Sequence, residues 1–324
     1  MRLKRPIRTI LKVLLHRAPF EAQLIVTRRC NLSCGYCSEY DKVSECIPLE
    51  VLKRRIDALH RLRVVNVALL GGEPLMHPDL AEVIAYADRR AQVSVTTNGF
   101  LLTEDLVHRF NDAGLANMEV SIDQVRADRT GYIQKCLKTM RPKLALLRRL
   151  AEFDVFVNMV LCDQTKSQFE AAIRELTDLG LPVTIDLLHD PQGRIQIQGR
   201  EYLDLWKRYY VDRTPQACLD QAYGTQLLEG QRPRWHCRAG SRFLYVDEFG
   251  KAQFCSAQRG RLDKPIIQYT RDDLRTYGRM SKGCEEGCAL LCVYRGSVLE
   301  DRPVRSCASL LSHAWRRLRG RMAA

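Results

Sequence analysis

Two kinds of pattern alternate between residues 21 and 215. Short apolar or β-branched runs occur at EAQLIVT (21–27), VVNVALLGG (64–72), QVSVTTNG (92–99), ANMEVSID (116–123), DVFVNMVLC (154–162) and LPVTIDLLH (181–189), and these predict strands. Between them, at about 48–62, 78–90, 104–113, 132–150, 165–180 and 199–213, apolar residues recur at helical spacing. Pro48, Pro78 and Thr103 mark helix starts, and Gly114 and Gly180 mark helix ends. Six strand–helix units in series imply an α/β fold with a parallel sheet and right-handed crossovers. With the helices outside, this is a partial (β/α)6 TIM-like barrel. An open doubly wound sheet has the same periodicity and stays open as the alternative.

After residue 215 the pattern breaks, and Gly, Pro and Cys become frequent. The strands there look short: RFLYVDE (242–248), then KAQFCS (251–256) across a turn at Phe249-Gly250. So few long apolar elements call for another staple, and the cysteines supply one. The expected plan is a basic amphipathic segment (1–20), a barrel (21–215), a small cysteine-rich C-terminal domain (216–310) and a basic tail (311–324).

Composition sharpens this picture. Of 324 residues 46% are hydrophobic, enough for a core, and no stretch approaches the roughly 20 apolar residues of a membrane-spanning helix. Thirteen cysteines in a long chain, with no signal-peptide pattern, point to a reducing, cytoplasmic setting in which cysteines bind metal or do redox chemistry. ILKVLL (10–15) is short, is interrupted by Lys12 and precedes no small-residue cleavage site.

The net charge of +13 is concentrated at the ends. Residues 1–20 carry +6, residues 305–324 carry +5, and the body between them is nearly neutral. That excludes a broad nucleic-acid-binding face on the body. Leu3, Ile7, Ile10, Leu11 and Leu14 recur at helical spacing among Arg and Lys, and LLSHAWRRLRGRMAA has the same character. Two readings are equal here: a membrane-surface element on the cytoplasmic face, or a helix packed on the barrel bottom with a solvated basic face.

The chemistry starts at Cys30-Asn-Leu-Ser-Cys34-Gly-Tyr36-Cys37, in the loop after the first strand. On a β/α barrel that loop lies at the C-terminal face, where active sites form. Cubane [4Fe–4S] clusters are held by cysteine thiolates, whereas structural zinc sites close with four ligands and often pair two C-x2-C units. Three cysteines in one compact loop favour the cluster and leave one iron open.

Further motifs fall at successive strand ends: Gly71-Gly72-Glu73-Pro74 after the second, Thr97-Asn98-Gly99 after the third and Ser121-Ile122-Asp123 after the fourth. With C-x3-C-x-[aromatic]-C, this series over residues 20–190 resembles the radical S-adenosylmethionine (radical SAM) superfamily. The resemblance implies a [4Fe–4S] cluster at Cys30, Cys34 and Cys37 whose open iron binds S-adenosylmethionine. It also implies reductive cleavage to a 5′-deoxyadenosyl radical, hydrogen abstraction from a substrate, and an external flavodoxin- or ferredoxin-like electron donor. By the same resemblance, backbone at Gly72 and Glu73 meets the methionine ammonium, which the Glu73 carboxylate complements. Ser121 and Asp123 lie near the ribose, Tyr36 approaches the adenine, and Asn98 and Asn158 share the pocket.

The second cysteine set is Cys237-Arg-Ala-Gly, Cys255, Cys284-x3-Cys288-x3-Cys292 and Cys307. It resembles, in part, the SPASM or twitch extension that follows many radical SAM cores. That implies one auxiliary iron–sulfur cluster including Cys237 and Cys255, and a second if a non-cysteine ligand or Cys218 completes it. A zinc-stapled cap is the rival. Cys46, Cys136 and Cys162 are expected as small buried hydrophobes.

Substrate class divides two ways. A SPASM-like extension resembles those of enzymes that modify peptides and proteins. The basic ends, and the roughly 20 residues before the first strand, too few for a peptide-recognition domain, suit a lipid or membrane-linked metabolite. The reading from another class is a non-catalytic zinc or iron–sulfur protein docking on membranes.

Overall fold

The computed structural model describes residues 18–127, 130–210, 215–303 and 306. The two basic ends, on which the membrane expectation rests, and Cys307 lie outside the described residues.

Six strands, β1 (Glu21–Thr27), β2 (Asn66–Gly71), β3 (Gln92–Thr97), β4 (Asn117–Ser121), β5 (Asp154–Leu161) and β6 (Val183–Leu187), pair in sequence order and in parallel. Helices α1 (Leu49–Arg61), α2 (Leu80–Asp88), α3 (Glu104–Asp112), α4 (Leu137–Leu150) and α5 (Asp163–Asp178) connect them, and α6 (Arg200–Tyr209) and α7 (Pro215–Leu228) follow. The sheet runs β6-β5-β4-β3-β2-β1-β7-β8-β9 and stays open between its edges, as expected of a partial barrel.

Alternation along each strand sets the two faces. Leu24, Val26, Leu69, Val95, Val120, Met159 and Leu187 face the helices and share one buried core with Leu52, Ile56 and Leu59 of α1. On the opposite face Gln23, Thr96, Glu119 and Ser121 line a cavity inside the barrel, beside Leu70. Thr103 caps α3, its hydroxyl accepting from Leu106 N–H at 3.2 Å.

Two local features depart from the sequence pattern. Residues 132–136 keep helical spacing yet form an extended strap, and α4 begins only at Leu137. The strap's backbone bonds elsewhere: Tyr132 C=O accepts from Gly35 N–H at 2.9 Å, and Lys135 C=O from Asp123 N–H at 2.9 Å. Long-range pairing has overridden local propensity.

The sheet also continues past residue 215. β7 (Phe243–Val246) pairs in parallel with β1, and β8 (Lys251–Gln253) and β9 (Lys264–Pro265) add antiparallel to it. The cysteine-rich segment is therefore hydrogen-bonded to the first barrel strand. Helices α8 (Arg271–Arg279) and α9 (Leu291–Asp301) complete it.

Buried Arg55 of α1 fastens this extension, donating to the carbonyls of Asp247 at 3.3 Å and Glu248 at 2.9 Å. Arg55→Met keeps the stem but leaves the Glu248 carbonyl without its donor, while Asp247 C=O still accepts from Gly250 N–H at 2.9 Å. It is expected to cost about 1–3 kcal/mol, read as a lower denaturation midpoint, with amide exchange accelerated first around the β7–β8 turn.

Candidate active site

The loop carrying Cys30, Cys34 and Cys37 has no ladder of its own. Its polar groups are satisfied by neighbours: Cys30 N–H donates to Asp41 C=O at 3.1 Å, Ser33 N–H to Gln134 Oε1 at 3.0 Å, and Lys42 Nζ to the carbonyls of Cys30 and Leu32 at 2.9 and 2.7 Å. Gly35 lies so close under the strap that a Cβ there would enter the Tyr132 ring. A Cβ at Gly72 would meet the carbonyls of Arg28 and Arg29. Both positions demand glycine because backbone approaches there without room for a side chain.

All three sulfurs line one cavity of about 260 Å3, together with Gly71, Gly72, Asn98 and Ser121. Burial pushes each thiol above its ordinary value. N–H groups are aimed at the sulfurs from Leu32 (to Cys30, 3.4 Å) and Glu39 (to Cys37, 3.4 Å), with Asn98 Nδ2 3.8 Å from Cys30 Sγ. Lys135 from the strap also lines the cavity, and its charge draws Cys34 and Cys37 back down. Burial alone would lower the Lys135 ammonium, but Asp123, Cys34 and Cys37 hold it above its ordinary value. Three thiolates next to a fixed cation and several N–H donors are a donor set suited to an iron–sulfur cluster. Among the described residues, no group of three His, Cys, Asp or Glu side chains is arranged to hold a single metal ion.

Four other expected residues are placed differently. Glu73 is buried and absent from the cavity wall: Oε1 accepts from Thr97 Oγ1 at 2.6 Å and Leu75 N–H at 2.9 Å, Oε2 from Asn98 N–H at 2.7 Å. Its carboxylate thus braces the ends of β2 and β3. The Gly72 and Glu73 N–H groups are spent on Thr27 C=O (2.8 Å) and Arg29 C=O (2.9 Å), while the Gly72 carbonyl accepts from no described residue.

Asp123 is likewise fully buried, bonded to the Tyr36 hydroxyl, to Val160 N–H at 3.1 Å and to Lys135 at 3.4 Å. It anchors the cysteine loop, and Tyr36 is thereby tied down off the cavity wall. Asn158 is committed to β6, donating to Asp186 at 2.9 Å and accepting from Thr184 at 3.0 Å.

The C-terminal cysteines gather on the same side of the molecule. Cys237, Cys255 and Cys288 are buried in one small core with Ile25, Phe243 and Phe254, and Cys292 packs against it. Burial first, then the neighbouring sulfurs, push Cys237 and Cys288 up to about 12. Cys284 faces Cys237 and Cys288 electrostatically, and Cys292 faces Cys288 together with Glu21 and Asp186. Buried Lys282, donating to Cys237 C=O at 3.1 Å and Met280 C=O at 2.6 Å, sets a cation beside Cys237 and Cys284. Ser256, next to Cys255, and Tyr245 of β7 reach the wall of the first cavity.

Sequence reasoning missed Lys135, Glu119, Glu39 and Tyr245. Each is an isolated polar residue with no spacing signal, and only the strap, the barrel interior and the β1–β7 pairing bring them to the cavity.

An open parallel barrel with a three-cysteine loop at its C-terminal mouth defines a class of iron–sulfur-binding α/β proteins. The chain matches the radical SAM superfamily over residues 24–189, about half its length, and it belongs to that family. It is 29% identical over 251 residues to the PqqA peptide cyclase of Bradyrhizobium diazoefficiens, spanning 75% of this chain and 63% of that relative. It is also 29% identical over 257 residues to the probable GTP 3′,8-cyclase of Aeropyrum pernix, spanning 72% and 68%. The fold is shared with anSMEcpe bound to AdoMet and the Kp18Cys peptide, at a TM-score of 0.56 and 17% identity, covering 93% of this chain and 99% of that one. It is shared also with Streptococcus suis SuiB bound to precursor peptide SuiA, at 0.59 and 13%, covering 85% and 69%.

Gly35→Ala is expected to lower the iron bound per chain after anaerobic reconstitution by about half or more, through overpacking against Tyr132. Adding Tyr132→Ala should restore part of it, and an unchanged iron content in Gly35→Ala would contradict the strap's role.

Proposed function

We propose that this chain is a radical SAM enzyme that reductively cleaves S-adenosylmethionine and abstracts hydrogen from a peptide or protein substrate. The observation that carries the reading is the convergence of Cys30, Cys34 and Cys37 with Gly72, Asn98 and Ser121 on one cavity at the strands' carboxyl ends. When bound, the cluster and S-adenosylmethionine supply an electron and a carbon-centred radical. The chain's residues bind and orient them. Cys30, Cys34 and Cys37 would hold three irons, and Lys135 would offset the negative charge of the thiolates. The free Gly72 carbonyl suits an ammonium, and Asn98 and Ser121 offer polar contacts on the facing wall. Asp123 fixes Tyr36 and Lys135, so the loop is held before any ligand arrives.

An auxiliary cluster at Cys237, Cys255, Cys284 and Cys288 belongs to the same proposal, within an auxiliary domain over 216–310. Its support is the shared core of Cys237, Cys255 and Cys288, with Cys284 close to Cys237 and Cys288 electrostatically. The peptide class is supported by the PqqA peptide cyclase relative. Electrons would come from a flavodoxin- or ferredoxin-like donor.

Anaerobically reconstituted protein with S-adenosylmethionine and dithionite is expected to form 5′-deoxyadenosine. A Cys30→Ala/Cys34→Ala/Cys37→Ala variant should form none while keeping about four irons per chain. Equal 5′-deoxyadenosine from both proteins, or zinc in place of iron, would overturn the reading.

A further inference from the structure

We propose that Glu119 anchors a cationic group of the substrate: a protonated amine or guanidinium enters the barrel and pairs with this carboxylate. The inference rests on the function proposed above and names the chemistry of its substrate.

The acids around the site differ in one respect. Glu73 is bonded to Thr97, Leu75 and Asn98; Asp123 to Tyr36, Val160 and Lys135; Asp186 to Asn158. Glu39 accepts from Arg28 at 3.2 Å, Tyr245 at 2.6 Å and Arg259 at 2.8 Å. Glu119 is half-buried, lines the cavity, and its side chain takes no hydrogen bond or ion pair from any described residue.

An unpaired carboxylate out of bulk water is costly, so a merely structural role would favour glutamine or an apolar residue on this strand. The position is rigid: β4 holds Glu119 between Thr96 of β3 and Phe156 of β5 in register. It points inward on the same face as Ser121, two residues deeper, about 7 Å further from the strand's carboxyl end.

Surrounding charge suits a cation. Burial, then Asp186 and Glu21, push Glu119 up to about 8, against the pull of Arg295 and Lys135. Near neutral pH the carboxyl therefore sits at the edge of ionisation, and an arriving cation supplies the charge that keeps it ionised. Thr96 and Ser121, on the same wall, offer oxygen acceptors for the remaining N–H groups, and the Gln23 amide nitrogen is already turned to Glu21 at 3.4 Å.

The test uses reconstituted holoenzyme in anaerobic equilibrium dialysis, with Nα-acetyl-lysine methylamide, Nα-acetyl-arginine methylamide and the neutral Nα-acetyl-norleucine methylamide as probes. S-adenosylmethionine retention is measured in a parallel cell. Wild type is expected to hold at least one cationic amide about tenfold more tightly than the norleucine amide, and Glu119→Gln to bring that ratio close to one. Glu119→Gln should also melt no lower than wild type, since it removes a buried acid that has no partner among the described residues. No preference in wild type, or a preference that persists in Glu119→Gln, overturns the inference. Loss of S-adenosylmethionine retention in Glu119→Gln alone also overturns it, by placing Glu119 in the cofactor site. If wild type itself retains no S-adenosylmethionine, the proposed function fails instead, and the amide comparison still decides the role of Glu119.

Discussion

A loop bearing three thiols cannot hold itself. It has no helix or strand ladder, burial favours its sulfurs in the protonated form, and a cluster needs all three on one wall. The strap at 132–136 answers that constraint. Tyr132 and Gln134 take the loop's N–H groups, and Lys135 brings a cation to its sulfurs. Asp123 ties Tyr36 and Lys135 to the end of β4. The parallel sheet makes this possible, because every strand delivers its following loop to the same side.

A second seam joins this loop to the cysteine-rich extension. Glu39, two residues after Cys37, is bonded to Arg28, to Tyr245 on β7 and to Arg259, four residues after Cys255. Arg259 also reaches Glu248 at 3.0 Å. These side chains are partly shielded from solvent and share partners, which makes the network stiffer than isolated surface pairs would be. Together with the β1–β7 pairing, it makes the extension part of the wall around the first cavity, through Tyr245 and Ser256.

Most of the architecture was legible in the sequence, and the exceptions have physical causes. Period-two and period-3.6 patterning located β1 to β6 and their helices because each element buries one face against its neighbours. The strap was misread as helix because Ile133 and Cys136 continue the helical spacing of α4, while the bonds that hold it extended come from Ser33 and Gly35, about a hundred positions away, and from Asp123. The strand β7 was visible in RFLYVDE, but its parallel place beside β1 follows from tertiary packing alone. The motif residues fall together at the strands' carboxyl ends, but the sequence carries no sign of which neighbours hold each side chain. Glycine and cysteine positions report on backbone and sulfur, whereas the protein partners of the Glu73 and Asp123 carboxylates come from other segments, and no motif names the pairing. Glu119 and Lys135 had no motif at all.

The proposed function requires the Cys30, Cys34 and Cys37 cluster to leave one iron for S-adenosylmethionine beside Gly72. Electron–nuclear double resonance on the reduced holoenzyme, with S-adenosylmethionine carrying 15N in its amino group, tests that contact without any substrate. A nitrogen hyperfine coupling to the cluster is expected, and it should vanish when the three cysteines are replaced by alanine. A reduced cluster at these cysteines that shows no coupling to the labelled nitrogen would contradict it.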